Sequence, residues 1–185
     1  MSVKYSEKEL IDGCLAEDRK VQRYVYERYY SDFLKVCLRY CDNTPDAKHL
    51  LNDSFFKIFT KVSQYSGAGS FEGWMRKTVV NVCLDHVRVR ARNLKNVVQV
   101  EKESLENLSG HDDNSVFGKM GFDHLLKLIQ ELPEMSRAVF NLFVFENLSH
   151  KEIAEVLGMK EGTSSWYLNK ARVEIQRKIQ NPVNR

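Results

Sequence analysis

Residues 148–172 read LSHKEIAEVLGMKEGTSSWYLNKAR, and this stretch predicts two helices joined by a glycine turn. The start Ser149-His150-Lys151-Glu152 is a capping box, in which a Ser hydroxyl and a Glu carboxylate satisfy free backbone N–H groups at the start of a helix. Gly158 ends this short helix, and a last helix begins near Lys160 and runs towards Gln180. Two short helices around a glycine turn are typical of a helix-turn-helix, whose second helix can lie in the DNA major groove. An αα-hairpin without a nucleic-acid role has much the same pattern.

The last helix has two different faces. At about 100° per residue, its apolar stripe is formed by Leu168, Ala171, Ile175 and Ile179. The opposite side carries Trp166, Lys170, Val173 and Arg177. Because exposed apolar bulk tends to mark a contact surface, the outward position of Trp166 favours a DNA or protein partner over chance exposure. Ser164 falls on the core-facing side of the same helix.

The region ahead of this motif is also helical in pattern. A block of apolar residues begins near Phe122 and breaks at Leu132-Pro133. A strongly apolar helix from Glu134 to about Asn147 follows the break.

The first half of the chain predicts three more helices. Apolar residues recur every fourth position in the first of them, through Val21, Val25, Tyr29, Phe33, Cys37 and Cys41. In the second, Thr44 can cap, Pro45 suits the first helical position and Asp46 complements the helix dipole. Its apolar face consists of Ala47, Leu50, Leu51, Phe55, Ile58, Phe59 and Val62. Ser70 can cap the third helix, which ends in the basic run Arg88, Arg90, Arg92.

Periodicity fails from about Val97 to Gly121, where acidic and small residues predict a linker. We therefore expect an all-α protein of two small helical domains. Residues 1–95 form the first domain, 96–121 a flexible linker and 122–185 the second domain.

Charge is distributed in blocks although the net charge is only +3. Residues 75–92 hold five Lys or Arg against one acidic residue, and residues 160–185 hold six against two. Residues 93–120 between them hold three against five. Two basic patches that flank an acidic segment suggest two sites for a polyanion, whose counterions are released on binding. Charge alone favours the alternative, in which these are solvated helix faces.

Several classes of protein are excluded by composition. The most apolar stretch, Ala138 to Phe145, is too short to span a membrane, and the charged N-terminus does not resemble a secretory signal. We therefore expect a cytoplasmic protein. Four scattered cysteines, one pair spaced by four, predict reduced and mostly buried thiols. A metal site of Cys37, Cys41, His49 and His86 is a weaker alternative, because zinc ligands usually show tighter paired spacings.

The segment from Leu148 to Gly158, with Glu161-Gly162-Thr163 and Leu168 to Arg172, closely resembles region 4 of extracytoplasmic-function (ECF) sigma factors. Upstream, the helix around Asp46-Ala47, Leu50 and Phe55 is similar to region 2 of the same family, and Ser70 to Arg88 resembles its promoter-melting segment. The two matches stand in the expected order. The resemblance implies a non-catalytic initiation factor that needs no cofactor, binds core RNA polymerase, and contacts promoter DNA at two elements while helping to melt it.

The resemblance also implies a role for the helix from Asp46 to Val62, which would dock on the clamp coiled coil of the polymerase. Its candidate polymerase-binding residues are Asp46, Leu50, Asn52, Asp53 and Phe56. The family usually has the longer Gln and Glu where Asn52 and Asp53 stand. A solvated helix face is the alternative for these two residues.

The family's minus-ten element would be held by the segment from Tyr65 to Arg92. A protein that opens a duplex must offset unstacking with a pocket for an extruded base and a cationic path for the backbone. The candidates are Tyr65, Phe71, Trp74, Arg76, Lys77, Asn81, Arg88 and Arg90. Trp74 could equally be a core residue.

The minus-thirty-five element would be read by the start of the last helix. The candidates are Lys160, Thr163, Ser165, Trp166, Asn169, Lys170 and Arg172. Ser and Asn can specify bases, whereas Lys and Arg can also serve only for positioning. The family usually has Lys or Arg where Ser165 stands and a small or polar residue where Trp166 stands, so a base preference cannot be transferred.

The family further implies an anti-sigma protein, often membrane-bound, as a partner, and a linker that is threaded through the polymerase cleft. Two other functions stay open at this point. A helix-turn-helix regulator that is not a sigma factor would use the second block alone. A metal-dependent nuclease would use Asp42, Asp46 and Asp53, which lie on one short stretch without a converging His or Lys.

Overall fold

The computed structural model describes residues 5–95 and 121–180. Within these residues the chain is all-α, as expected, and forms eight α-helices and one short 3-10 helix at Val62–Gln64. The α-helices are α1 (Glu7–Leu15), α2 (Arg19–Leu38), α3 (Thr44–Thr60), α4 (Phe71–Lys95), α5 (Phe122–Gln130), α6 (Glu134–Val144), α7 (His150–Leu157) and α8 (Glu161–Gln180). Residues 96–120 of the expected linker lie outside the described residues. Two compact units, Met1–Cys83 and Leu84–Arg185, make up the chain and are called unit 1 and unit 2.

Helix α1 is absent from the sequence-based prediction, although it has a clear start signal. Ser6 Oγ accepts the backbone N–H of Glu9 at 3.3 Å, and the Glu9 carboxylate accepts the N–H of Ser6 at 2.7 Å, which completes a capping box. Leu10 and Cys14 of α1 are buried. Glu7 Oε2 accepts the backbone N–H of Phe71 at 3.2 Å, so α1 satisfies a free N–H group at the start of α4.

The periodic stripes of α2 and α3 form the core of unit 1. The stripe from Val21 to Cys37 is buried as predicted, and Cys41 remains buried beyond the end of α2. The cap of α3 is Asn43 and not Thr44, because Asn43 Oδ1 accepts the N–H of Asp46 at 2.9 Å. Helix α3 therefore begins at Thr44, one residue earlier than it would if Thr44 were the cap.

The four cysteines are free and buried, as predicted. Burial raises the pKa of Cys14 to about 11. The pKa of Cys83 is also raised, by its hydrogen bond to Cys37 at 4.0 Å between the sulfurs and by burial, so both thiols stay protonated at neutral pH. Among the described residues, no group of three or more His, Cys, Asp or Glu side chains could hold a metal ion.

Helix α6 lies at the centre of unit 2. Its buried residues run without a break from Ser136 to Leu142, and α8 and α7 cover it with Leu168, Ala171, Ile175, Ile153 and Ala154. It ends at Val144, three residues before the predicted end. Asn147 has a positive φ of 55°, which turns the chain out of the helical path. None of the described helices combines the length and the apolar character of a membrane span.

The predicted helix-turn-helix is present in α7 and α8. Ser149 Oγ accepts the N–H of Glu152 at 3.3 Å, and the carboxylate of Glu152 accepts the N–H of Ser149 at 2.8 Å. The Ser149 hydroxyl also donates to the Glu152 carboxylate at 2.7 Å, and this bond, together with the one from the Ser149 N–H, lowers the pKa of Glu152. Gly158 ends α7 in the left-handed conformation at φ 67°, which favours glycine.

Close packing of α1 on α2 gives a test of the unpredicted helix. A Cβ added at Gly13 would lie 2.6 Å from Val21 Cγ2, and the branched Val21 side chain is buried. We expect Gly13→Ala to lower the free energy of unfolding by about 1–3 kcal/mol through overpacking.

The matched control is Gly162→Ala in the first turn of α8, where an added Cβ meets nothing within 4 Å. This change should raise the free energy of unfolding by about 0.4–1 kcal/mol. Equilibrium denaturation of both variants would measure the contrast. Equal effects at the two glycines would show that α1 does not pack on α2 as described.

Candidate nucleic-acid interface

The outward face of α8 brings several predicted residues together. Ser165 is exposed, and Trp166, Asn169 and Lys170 are half-buried beside it. The Lys170 ammonium lies 4.9 Å from the centroid of the Trp166 ring, within the range of a cation–π interaction. This face therefore combines an aromatic ring, a positive charge, a hydroxyl and an amide, which suits contact with base edges and phosphates.

The other predicted residues of this group have different surroundings. Lys160 is exposed just before α8, and Thr163 is half-buried in its first turn. The guanidinium of Arg172 lies 5.5 Å from the centroid of the Phe143 ring of α6. Arg172 thus packs against its own unit, and this contact ties α8 to α6.

A contact that the sequence analysis did not identify links α7 to α8. Ser164 is 0% exposed, and its Oγ lies 3.0 Å from Nδ1 of His150. The His150 ring in turn stacks on Phe143 at 5.0 Å between ring centroids. Without the ring, the buried Ser164 hydroxyl would lack this partner, at a cost of about 1–3 kcal/mol.

The charge state of His150 follows from its surroundings. Burial lowers the pKa of His150 below its usual value, Glu161 opposes this shift, and Arg172 adds to it. The neutral ring is therefore favoured at neutral pH. A neutral imidazole keeps one nitrogen as an acceptor and one as a donor, and either role at Nδ1 is compatible with the hydroxyl of Ser164.

An aromatic cluster surrounds the loop before α4. The Tyr65 ring lies 5.4 Å from that of Phe71 and 5.8 Å from that of Trp74, and Phe71 stacks on Trp74 at 5.7 Å. The Tyr65 hydroxyl donates to the carbonyl of Gly69 at 2.7 Å, which closes the loop. Gly67 and Gly69 have positive φ values of 78° and 88° that side chains rarely adopt.

Exposure separates the members of this aromatic cluster. Phe71 is 1% exposed, so its side chain is a core residue, in contrast to the prediction that it contacts DNA. Tyr65 and Trp74 are half-buried and keep part of their rings at the surface. The two interpretations of Trp74 are therefore compatible, because one ring both packs on Phe71 and remains partly exposed.

The polar candidates on α4 differ in exposure and in ion pairing. Lys77 and Asn81 are exposed and lie four residues apart on one side of the helix, whereas Arg76 is half-buried. Arg88 pairs with Asp85 at 2.9 Å between Nη1 and Oδ1. Arg90 Nε lies 3.3 Å from Glu134 Oε1 within unit 2, so a phosphate would have to compete with a carboxylate there.

Helix α3 has an exposed aromatic residue on its outer face. Phe56 is 70% exposed, and Asn52 and Asp53 are exposed one turn before it. The Asn52 amide oxygen accepts from the Tyr26 hydroxyl at 3.3 Å, which orients the amide. Asp46 is half-buried and accepts from the side-chain amide of Asn43 at 2.9 Å.

Leu50, the fifth polymerase-binding candidate, is only 6% exposed. Its side chain packs inside unit 1 with the rest of the apolar stripe of α3. Leu50 is therefore corrected from a contact residue to a core residue that supports the exposed face.

Comparisons with known protein families match both halves of the chain. The family model for sigma-70 region 2 matches residues 25–93, and the model for sigma-70, region 4 matches residues 123–175. Unit 1 with α4 corresponds to the first match, and the helix-turn-helix lies inside the second.

Relatives of known identity agree with this assignment. The ECF RNA polymerase sigma factor SigE of Mycolicibacterium smegmatis is 30% identical over 148 residues, which cover 77% of this chain and 55% of that protein. The RNA polymerase sigma-H factor of Pseudomonas aeruginosa is 23% identical and covers 97% of both chains. The ECF RNA polymerase sigma-E factor of Salmonella typhimurium is 22% identical over the full length of both.

Solved structures of similar fold complete the comparison. CnrH, in complex with the cytosolic domain of CnrY, has a TM-score of 0.50 at 15% identity and covers 94% of this chain and 97% of its own. The sigma factor RpoE of Bartonella quintana, in complex with the anti-sigma factor NepR, has a TM-score of 0.51 at 17% identity. The match covers 88% of this chain and 98% of the RpoE chain. With region 2 and region 4 both matched in order, the chain belongs to the extracytoplasmic-function group of the sigma-70 family of RNA polymerase sigma factors.

Proposed function

We propose that this sigma factor directs core RNA polymerase to promoters by binding two separate elements of one DNA duplex. The region 4 domain, residues 122–185, binds the minus-thirty-five element, and the region 2 domain, residues 1–95, binds the minus-ten element and helps to melt it. The observation that carries the proposal is the outward face of α8, where Lys170 covers an indole ring that does not belong to the core. Two weak contacts on one chain give usable affinity through effective concentration.

The minus-thirty-five contact is assigned to the start of α8. Ser165 and Asn169 can donate to or accept from base edges in the major groove, and Trp166 can make apolar contact with a thymine methyl group. Lys160 and Lys170 are suited to phosphates. Arg172 packs on Phe143, so we assign it a supporting role at this surface.

The minus-ten contact is assigned to the aromatic loop and to α4. The partly exposed rings of Tyr65 and Trp74 offer a stacking surface to an unstacked base, and the loop closed at Gly69 holds them in place. Lys77 and Asn81 continue this surface along one side of α4. The role requires binding and no catalytic group of the protein itself.

The polymerase contact is assigned to the exposed face of α3, formed by Asn52, Asp53 and Phe56. A Phe that is 70% exposed among polar neighbours marks a partner surface, and aromatic residues often dominate the energy of such contacts.

An anti-sigma protein is the further partner that we propose. The sigma factor RpoE of Bartonella quintana, whose fold is similar, has been solved with the anti-sigma factor NepR, and CnrH has been solved with the cytosolic domain of CnrY. Since DNA and polymerase are cytoplasmic in bacteria, the proposal places this chain in the cytoplasm. A helix-turn-helix regulator that is not a sigma factor is not favoured, because it leaves the region 2 match unexplained.

Transcription in vitro tests the proposed function. The purified chain, mixed with core RNA polymerase and genomic fragments, should yield transcripts with defined start sites that neither component produces alone. Failure of the chain to associate with polymerase would contradict the proposal.

The polymerase surface predicts a selective defect in Phe56→Ala. Loss of the exposed ring should weaken the affinity for core polymerase by about tenfold, as expected for a central aromatic contact. The free energy of unfolding should change by less than about 0.5 kcal/mol because the ring is mostly solvated. Binding titration with labelled core polymerase would measure the loss.

The control is Leu15→Ala, which removes another exposed apolar side chain of unit 1 on α1. Its polymerase affinity should match that of the wild type. If the two variants behave alike, Phe56 is not part of the polymerase contact.

The outward position of Trp166 predicts a defect in promoter binding. Trp166→Ala should weaken promoter binding by the holoenzyme by about 1–3 kcal/mol, because an apolar contact in the groove is lost. Association with core polymerase should be unchanged. Val173→Ala, which truncates another exposed apolar residue of α8, serves as the control and should bind the promoter normally. Unchanged promoter affinity in Trp166→Ala would remove this residue from the interface.

A further inference from the structure

The hydrogen bond between His150 and Ser164 joins the two helices of the helix-turn-helix. His150 is the first residue of α7, and Ser164 lies in the first turn of α8. The bond therefore spans the turn between the two helices at 3.0 Å. Ser164 stands directly before Ser165 and Trp166, two residues proposed to face the DNA.

This bond restricts the rotation of α8 about its own axis. Ser164 is 0% exposed, so water cannot replace the ring nitrogen as a partner. Apolar side chains at these two positions could pack in several rotational settings. A hydrogen bond accepts only a narrow range of distance and angle, so a rotation of α8 that displaces Ser165 and Trp166 would break it.

The His150 ring is itself held from α6. It stacks on Phe143 with ring centroids 5.0 Å apart and an interplanar angle of 26°. The Phe143 ring also lies 5.5 Å from the guanidinium of Arg172. Helix α8 is thus attached at Ser164 and again two turns later at Arg172. Between these two points lie Ser165, Trp166, Asn169 and Lys170, which are proposed to face the minus-thirty-five element.

We propose that His150 and Ser164 are positioning residues whose hydrogen bond sets the rotation of α8 and thereby the sequence specificity at the minus-thirty-five element. The inference rests on the proposed function. Neither residue touches DNA in this account; both act through Ser165 and Trp166.

The test compares two probes with the same holoenzyme, assembled from the full chain and core RNA polymerase. One probe is a promoter fragment selected by the transcription experiment, and the other is the same fragment with a scrambled minus-thirty-five element. The ratio of the two affinities reports specificity, whereas a general loss of folded protein affects both probes alike. Ser164→Ala should lower this ratio by roughly fivefold, the equivalent of one net hydrogen bond. Ser164→Thr keeps the hydroxyl and should restore most of the ratio.

A double-mutant cycle tests whether the two residues act as one unit. His150→Phe keeps the stacking on Phe143 but removes the ring nitrogen, and should lower the ratio as much as Ser164→Ala does. The double variant should be no worse than either single variant, since the same bond is already lost. If Ser164→Ala does not fold, His150→Phe alone still decides the question through the same ratio.

Lys178→Met is the matched control. It removes another tertiary contact of α8, in which Lys178 Nζ lies 2.6 Å from Glu131 Oε2. Thermal unfolding should shift in this variant while the affinity ratio stays at the wild-type value.

The outcomes separate the inference from the proposed function. The inference is overturned if Ser164→Ala, or His150→Phe in its place, keeps the wild-type ratio while Trp166→Ala loses it. It is also overturned if the effects in the cycle simply add, if Ser164→Thr restores nothing, or if Lys178→Met lowers the ratio equally. In each of these cases the proposed function stands. If the wild-type holoenzyme shows no preference between the probes and no defined start sites, the proposed function itself fails.

Discussion

Each small unit of this protein must bury one apolar stripe of every helix, and that burial decides which side chains remain available to partners. In α8, complete burial of Ala171 and Ile175 forces Trp166 and Lys170 to the outside. Helix α3 follows the same rule, since burial of Leu51 and its neighbours leaves Phe56 in solvent. The candidate surfaces are thus consequences of core packing, and a rotation of a helix about its axis would displace them without a substitution at any candidate contact residue.

The two candidate DNA surfaces use different physical means. The loop at Tyr65 and Trp74 offers aromatic rings at the surface, supported from below by the buried Phe71, which suits an unstacked base. Helix α8 instead presents an aromatic ring, a positive charge, a hydroxyl and an amide on one face of a rigid helix. This combination suits the edges of paired bases in a major groove. A protein that must both locate a duplex site and open it nearby needs both kinds of surface. In this chain each kind lies on a different matched region of the sigma-70 family.

Periodicity and capping rules predicted most of the fold, because each helix from α2 onward has a stripe or a start signal long enough to detect. Helix α1 was not predicted, because its nine residues are too few for a long apolar stripe and its capping box, Ser6 to Glu9, stands in a strongly charged segment. At the candidate sites, Leu50 lies on the apolar face that periodicity predicts for α3, so its burial follows from the sequence pattern, whereas the burial of Phe71 depends on neighbouring helices. The partner of Ser164 was unpredictable for the same reason as the burial of Phe71: His150 lies 14 residues away, and only the packing of α7 on α8 brings the two together.

The central claim, that two units of one chain contact two separate stretches of the same duplex, can be tested by directed DNA cleavage. The native cysteines described above are buried, so an iron chelate can be attached to a cysteine introduced at an exposed site, Ser66→Cys in unit 1 or Lys151→Cys in unit 2. In the holoenzyme on a selected promoter, the chelate at position 66 should cut near the start site and the chelate at position 151 should cut a distinct stretch upstream. Cleavage of one common stretch from both positions would contradict the account.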